Sequence, residues 1–243
     1  MKLYKKVCLI TGSSRGIGSS IARAFAAEGA KVIITYNTNK KEGIKLSKEL
    51  GMNSAYKLNV IKKKNIKSVF KNVYKKFGKI DVLVNNAGTN ITNDFDKLSE
   101  KDWDTVVDVN LKGVFLCSQE VLKYMPNEGR IINIGSLSGE YGGPRTPSYA
   151  AAKAGVMSLT HCLARFVGKR KICVNCISPG VIDNEFTKET MSKDVRKKAK
   201  SLLLLPKFGN VKDINGMAVF LASKESSYVT AQTISINGGA WVR

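Results

Sequence analysis

Short runs of β-branched and other apolar residues alternate with amphipathic stretches along almost the whole chain. Seven such runs can be read: KVCLIT, KVIITY, SAYKLNV, IDVLVNN, RIINIGS, ICVNCIS and QTISING. The stretches between them have helical periodicity, as in GSSIARAFAAEG and EKDWDTVVDVNLKGVFLCSQEVLKYM. Strands that alternate with helices form right-handed crossover units, whose parallel sheet is covered on both faces. The sequence therefore predicts an α/β fold with a doubly wound parallel sheet.

The chain has 243 residues, which is enough to bury a substantial core. It contains no internal repeat, low-complexity segment or linker, so residues 1–243 are predicted to form a single domain. Residues 180–210 depart from the alternation of strands and helices. Because loops of this length are usually functional in compact domains, we expect a substrate lid here, with a helix ending at SLLLLP.

Composition excludes several classes of function. No apolar run approaches the ~20 residues of a membrane helix, and the first one is too short for a signal peptide, so a cytoplasmic protein is expected. The net charge of +21 favours acidic partners, but the lysines are widely spread and no nucleic-acid-binding motif is present. Cys173 and Cys176 fall in a predicted strand, where positions i and i+3 face opposite sides. With His161 as the one histidine, no metal site is expected.

The glycine-rich segment TGSSRGIG lies between the first predicted strand and the first predicted helix. In that position, backbone N–H groups and the helix N-terminus can approach a pyrophosphate. Its spacing, G-x-x-x-G-x-G, differs from the commoner G-x-G-x-x-G motif. The context of strand and helix nevertheless indicates dinucleotide binding.

The end of the second predicted strand indicates which dinucleotide is bound. A carboxylate there would accept a hydrogen bond from a free ribose 2′-hydroxyl, but the sequence is ITYNTNKK and the first acid is Glu42. A 2′-phosphate would not be repelled, and Arg15 with Lys40 or Lys41 could neutralise it. We therefore expect NADP(H) in preference to NAD(H).

Tyr149 and Lys153 stand four residues apart, so they share one face of a helix that Pro147 is suited to begin. Ser136 lies upstream, beyond a glycine- and proline-rich loop. Taken alone, the tyrosine and lysine could equally be an exposed pair. Asn110 stands on a predicted apolar stripe with Trp103, and a buried amide must be hydrogen-bonded, so a structural and a catalytic role are both open.

Together these motifs, with Asn-Asn-Ala-Gly at 85–88, Pro179-Gly180 and the terminal SINGGAWV, resemble the short-chain dehydrogenase/reductase family over nearly the whole chain. The resemblance implies a seven-stranded Rossmann-type sheet of order 3-2-1-4-5-6-7 and a nicotinamide cofactor. It also implies a homotetramer, in which helices around Trp103–Met125 and Pro147–Val167 pair between subunits.

The same resemblance assigns roles to the candidate residues. Tyr149 would be the general acid, and Lys153 would lower the phenol pKa together with the oxidised cofactor and bind its ribose. Ser136 would hydrogen-bond the substrate oxygen, and Asn110 would hold a water that links Lys153 to solvent. The implied cofactor-binding residues are Gly12, Ser14, Arg15, Gly16, Ile17, Gly18, Asn37, Asn59, Val60, Asn86, Ala87, Gly88, Tyr149, Lys153, Pro179, Gly180 and Ile182.

Within the family, the likeness is greatest to members that use NADPH to reduce 3-oxoacyl thioesters on an acidic acyl carrier protein. Arg170 stands where such members contact the carrier, but Asn127 replaces a common arginine and Asn184 replaces a common threonine. The alternative is a small ketone, sugar or polyol as substrate. A binding protein that has lost its chemistry is a third class, which the intact set Ser136, Tyr149, Lys153 and Asn110 argues against.

Overall fold

The computed structural model describes residues 1–184, 187, 191–201 and 203–242. Its sheet has seven parallel strands in the order β3-β2-β1-β4-β5-β6-β7, which confirms the predicted fold class and strand order. The strands are β1 (Val7–Ile10), β2 (Lys31–Tyr36), β3 (Ala55–Lys57), β4 (Val82–Asn85), β5 (Arg130–Ile134), β6 (Cys173–Pro179) and β7 (Thr233–Ile236).

Helices cover both faces of this sheet. They are α1 (Gly16–Ala27), α2 (Lys40–Glu49), α3 (Lys63–Phe77), α4 (Glu100–Val107), α5 (Gly113–Val121), α6 (Ser138–Tyr141), α7 (Pro147–Val167), α8 (Lys193–Ser201) and α9 (Asn215–Ala222). In β1, Cys8 and Ile10 pack with α1, α2 and α9, whereas Val7 and Leu9 pack with α3, α5 and α7. Alternate residues thus enter different cores, as expected for a strand buried on both sides.

The helix predicted around residues 100–125 is interrupted. After α4, residues Asp108–Lys112 form a π-helical turn, and α5 then ends at Val121. The amide nitrogen of Asn110 donates to the carbonyl of Val106 at 2.8 Å, so the side chain satisfies a main-chain group within the widened turn. Trp103, predicted on the buried stripe, is 38% exposed in the single chain.

The predicted lid, residues 180–210, lies partly outside the described residues. Within it, α8 spans Lys193–Ser201, and Ser201 is the first residue of SLLLLP. The main-chain N–H of Leu205 donates to the carbonyl of Gly238 at 3.0 Å. Leu205 therefore pairs with the C-terminal residues and lies outside the helix.

The cysteines and the histidine contribute no cluster of ligands. All five cysteines are free, with Cys173 and Cys176 buried in β6, and His161 is exposed on α7. Over the described ranges, no group of three or more His, Cys, Asp or Glu side chains could hold a metal ion. Among the helices within these ranges, none combines the length and the hydropathy of a membrane span.

Candidate active site

The predicted motifs meet where the carboxyl ends of the central strands lie side by side. The turn after β1 contains two glycines with positive φ, Gly12 at 62° and Gly16 at 58°. A Cβ atom on Gly12 would lie 2.9 Å from the Cα of Ala87, and one on Gly18 would lie 2.5 Å from the amide nitrogen of Asn86. These positions therefore require glycine, because the turns after β1 and β4 pack directly against each other.

Hydrogen bonds join the same two turns. The hydroxyl of Thr11 accepts from the main-chain N–H groups of Asn86 (2.9 Å) and Ala87 (3.0 Å). The amide nitrogen of Asn86 donates in return to the carbonyls of Thr11 (2.9 Å) and Gly12 (3.0 Å). The sequence-predicted residues Asn86 and Ala87 are thus brought to the glycine turn, where Asn86 shapes the cradle. Thr11 was missed by the sequence reasoning, although it begins the motif.

The first turn of α1 offers its N–H groups toward this cradle. Arg15 precedes the helix without a capping hydrogen bond from its side chain, and the first turn contains no acidic residue. A Cβ atom on Gly16 would meet nothing within 4 Å. A helix N-terminus without a side-chain cap, beside open space, fits an anionic pyrophosphate. Ser14 and Ile17, which flank this N-terminus in the sequence, are half-buried.

The end of β2 is hydrogen-bonded to the same turn. The hydroxyl of Thr35 accepts from the N–H of Gly12 at 3.0 Å and donates to the carbonyl of Ile10 at 2.9 Å. Asn37, two residues further on, is exposed. The position expected to read the ribose therefore lies beside the cradle and carries a neutral amide.

Other predicted cofactor residues serve local structure in the described chain. The side-chain oxygen of Asn59 accepts from the N–H of Ile61 at 3.1 Å, and Val60 is buried. The N–H of Gly180 donates to the carbonyl of Ile236 at 2.9 Å, and Ile182 pairs with the strand-like Gly209.

Asn184, which stands where the family has a threonine, accepts from the N–H of Thr187 at 3.0 Å. Its side-chain oxygen is thus engaged in a turn.

Ser136 and Tyr149 are in contact at the end of β5. The Ser136 hydroxyl oxygen accepts from the N–H of Ser138 at 3.2 Å, which turns its own hydrogen away from that amide. Its side chain also shares a hydrogen bond with the Tyr149 phenol. The adjoining loop is fixed to β6, because the N–H of Leu137 donates to the carbonyl of Pro179 at 2.9 Å.

Lys153 is buried beneath this pair, at 3% exposure. Its ammonium donates to the carbonyl of Ile134 at 2.7 Å and lies 5.5 Å from the centre of the Tyr149 ring. Burial lowers the pKa of Lys153 to about 8. The alternative of an exposed tyrosine–lysine pair is therefore wrong.

Burial raises the pKa of Tyr149 to about 12, against a smaller opposing effect of the hydrogen bond with Ser136. The phenol remains protonated at neutral pH, which suits a proton donor.

Asn110 is fully buried beside Gly88. Its amide nitrogen donates to the carbonyls of Thr89 (2.7 Å) and Val106 (2.8 Å). Its Oδ1 atom has no hydrogen-bond partner among the described residues, and a Cβ on Gly88 would lie 2.8 Å from it. Asn110 therefore has a structural role through its amide nitrogen. Its Oδ1 atom is a buried acceptor that a water or a polar ligand group can satisfy.

Known proteins resemble this chain over its full length. The family described as "Enoyl-(Acyl carrier protein) reductase" matches residues 12–240. The 3-oxoacyl-[acyl-carrier-protein] reductase FabG of Thermotoga maritima is 44% identical, covering 98% of this chain and 99% of the relative. The FabG of Staphylococcus epidermidis is 41% identical with the same coverage.

Solved structures agree with this likeness. A blue fluorescent protein from a metagenomic library, in complex with NADPH, superimposes with a TM-score of 0.93 and 32% identity over 100% of both chains. A short-chain dehydrogenase/reductase mutant of Serratia marcescens gives a TM-score of 0.93 and 31% identity over 99% of both chains.

Proposed function

Because this chain belongs to the short-chain dehydrogenase/reductase family, we propose that it uses NADPH to reduce 3-oxoacyl thioesters on an acyl carrier protein to the 3-hydroxyacyl form. The observation that carries the proposal is the contact between Ser136 and Tyr149 above the buried Lys153. The hydroxyl groups of Ser136 and Tyr149 lie side by side, so both can donate hydrogen bonds to one carbonyl oxygen of a substrate. The FabG relatives favour the 3-oxoacyl thioester as the molecule that bears it.

In the proposed reaction, Tyr149 donates its phenolic proton to the C3 oxygen of the substrate, and Ser136 donates a hydrogen bond to that oxygen. The ammonium of Lys153 stabilises the phenolate that remains, because a nearby positive charge favours the ionised phenol. Asn110 keeps the main chain around Thr89 in place and offers Oδ1 to a water.

The cofactor cradle fits NADPH. The glycine turn, the uncapped start of α1 and the absence of a carboxylate between the end of β2 and Glu42 accommodate a pyrophosphate and a 2′-phosphate. The neighbouring solved structure that contains NADPH supports the same choice. When bound, NADPH supplies the hydride. Lys153 would hold its nicotinamide ribose, and Pro179, Gly180 and Ile182 would border the ring.

Changing Asn37 to Asp should shift the cofactor preference from NADPH toward NADH. The new carboxylate would repel a 2′-phosphate and accept a hydrogen bond from a free 2′-hydroxyl. The measurement is the ratio of kcat/KM for the two cofactors in wild type and variant. Asn37→Gln is the neutral control. A wild-type chain with equal or better kcat/KM for NADH would contradict the proposed preference.

Arg170, the predicted contact with the carrier protein, also has a local structural role. Its guanidinium donates to the carbonyls of Leu122 (3.1 Å) and Met125 and to the side-chain oxygen of Asn127 (3.4 Å). Arg170 thus caps the carbonyl groups that follow α5, and its replacement would leave them without their hydrogen-bond donor. The exposed Lys169, beside it, is the better place to test carrier docking.

Changing Lys169 to Glu should weaken the use of a carrier-linked substrate several-fold and leave a small thioester analogue almost unaffected. Charge reversal acts on encounter with an acidic partner and not on the chemistry. Lys48→Glu on α2 is the matched control, since it is exposed and changes the net charge equally. Equal losses in kcat/KM for both variants, or for both substrates, would argue against a carrier dock at residue 169.

We further propose that the chain is a cytoplasmic homotetramer, in which α4, α5 and α7 pair with a second copy. Exposed aromatic side chains on these three helices, Trp103, Phe115 and Phe166, support such an interface. Light scattering should give the mass of four chains at micromolar concentration. A monomer mass would contradict the assembly.

Residues 180–210 are proposed as a lid over the substrate. A groove lined by Val181, Leu205 and Asn237 borders the described part of this segment. Limited proteolysis within it should slow when NADPH and substrate are both bound, and unchanged cleavage would contradict a closing lid.

The substrate class is tested by steady-state oxidation of NADPH. We expect kcat/KM to be much higher for an acetoacetyl thioester than for small ketones, sugars and polyols. A crotonyl thioester belongs in the same panel, since the matched family description names enoyl reductases. A preference for a ketone or sugar would favour the alternative substrate, and a preference for the crotonyl thioester would favour enoyl reduction.

A further inference from the structure

Glu140 is a half-buried carboxylate near the candidate active site that the proposed mechanism does not use. It lies in α6, the short helix that follows Ser136. One of its oxygens, Oε1, accepts hydrogen bonds from the hydroxyls of Ser178 at 2.5 Å and Ser235 at 2.9 Å. Ser178 is fully buried in β6, and Ser235 lies in the edge strand β7. Glu140 thus ties α6 to two neighbouring strands.

The main chain of α6 controls the hydroxyl of Ser136. The N–H of Ser138 donates to the Ser136 hydroxyl oxygen, and the N–H of Gly139 donates to the Ser136 carbonyl at 2.9 Å. Because the oxygen is held by an amide donor, the hydroxyl hydrogen is left to point toward Tyr149 and the substrate. A shift of α6 would therefore move the hydrogen-bond donor that the substrate needs.

A helix of four residues cannot hold itself in place, because nucleation of a helical turn is unfavourable without tertiary contacts. Gly139 packs against α7, where a Cβ would lie 2.7 Å from the N of Ala154. Tyr141 adds a half-exposed ring contact with Trp241, with centroids 5.9 Å apart. Glu140 provides the charge-assisted hydrogen bonds of this helix, and such bonds are about twice as strong as neutral ones.

We propose that Glu140 is a positioning residue for the reduction, which holds α6 on β6 and β7 and thereby orients the hydroxyl of Ser136. This inference rests on the proposed function, because it gives Ser136 the substrate oxygen as its target. The competing explanation is that Glu140 only stabilises the pairing of β6 with β7. In that case, the effect of replacing Glu140 on kcat would not depend on Ser136.

A double-mutant cycle separates these explanations. Glu140→Ala should lower kcat with an acetoacetyl thioester by about tenfold, since a displacement of ~1 Å at a site can cost ~100-fold. The KM for NADPH should change little. In a Ser136→Ala background the same substitution should lower kcat by less than about twofold, because coupled residues are not additive. Glu140→Gln keeps Oε1 as an acceptor and should recover most of the lost kcat.

The matched control is Glu120→Ala. Glu120 is a buried carboxylate near the end of α5 that accepts from Lys123 at 2.8 Å. Its removal should leave kcat near that of wild type. If Glu140→Ala does not fold, Ser235→Ala removes one of the two donors at an exposed position and should give a smaller loss that also vanishes in the Ser136→Ala background.

Hydrogen exchange tests the anchor without any substrate. Peptides that cover residues 136–141 should exchange faster in Glu140→Ala than in wild type or Glu140→Gln. Equal losses of kcat in both Ser136 backgrounds, or unchanged exchange over 136–141, would overturn the proposal. A wild-type chain that is inactive on the thioester would instead contradict the proposed function, and the exchange result would still decide the role of Glu140.

Discussion

Replacing Tyr149 with Phe is expected to lower kcat by at least ~100-fold, the scale of losing a general acid. The phenol of Tyr149 shares a hydrogen bond with Ser136, and its raised pKa keeps the proton in place at neutral pH. Affinity for NADPH should remain nearly unchanged, because the hydroxyl acts on the substrate. The measurements are kcat in steady state and the Kd for NADPH by fluorescence titration.

Tyr141→Phe is the matched control for this substitution. It removes a phenolic hydroxyl eight residues away and keeps the ring that contacts Trp241. We expect its kcat to stay within about twofold of wild type, as for a surface change without a lost buried partner. A Tyr149→Phe variant with normal turnover would contradict the assignment of Tyr149 as the acid.

Replacing Lys153 with Met should lower kcat by a factor comparable to that of the tyrosine variant, at least ~100-fold, and should also weaken NADPH binding. The ammonium stabilises the phenolate and holds the ribose, so both quantities depend on it. The buried charge is costly to the fold, as its lowered pKa shows, and methionine has a similar length. The thermal midpoint should therefore not fall, which separates lost function from unfolding.

Lys171→Met, at an exposed position, controls for the change of charge. It should leave both kcat and the Kd for NADPH close to their wild-type values. A Lys153→Met variant with wild-type kcat and Kd would remove Lys153 from the mechanism. A variant that lost only stability would give it a structural role alone.

The strands and their order could be predicted because parallel strands buried on both faces have a simple sequence pattern. Val7 to Ile10 are all buried, and each strand end coincides with a turn or a small-residue motif. The start of α7 was equally readable, because Pro147 is suited to the first helical position. These features depend on residues that are neighbours in the sequence.

The features that could not be predicted depend on partners distant in the sequence. The π-helical turn contains Asn110, whose side chain donates to the carbonyl of Thr89 in the turn after β4, and Leu205 pairs with Gly238 near the C-terminus. Propensity alone favours a continuous helix over residues 100–121, and tertiary contacts decide otherwise.

The candidate site divides in the same way. The spacing of Tyr149 and Lys153 predicts a shared helix face. The burial of Lys153 could not be predicted, because its ammonium donates to the carbonyl of Ile134 on a separate strand. The contact of Glu140 with Ser178 and Ser235 spans 38 and 95 residues of sequence. No local pattern signals it.

Intact mass spectrometry of an acetoacetyl-loaded carrier protein, incubated with the chain and NADPH, tests whether hydride is transferred to a 3-oxoacyl group on the carrier. We expect the acyl group to gain two hydrogen atoms. The gain should require both NADPH and the chain, and Tyr149→Phe should nearly abolish it. An unchanged carrier-linked acyl group, with turnover of a small ketone or sugar by the same preparation, would show that the substrate belongs to another class.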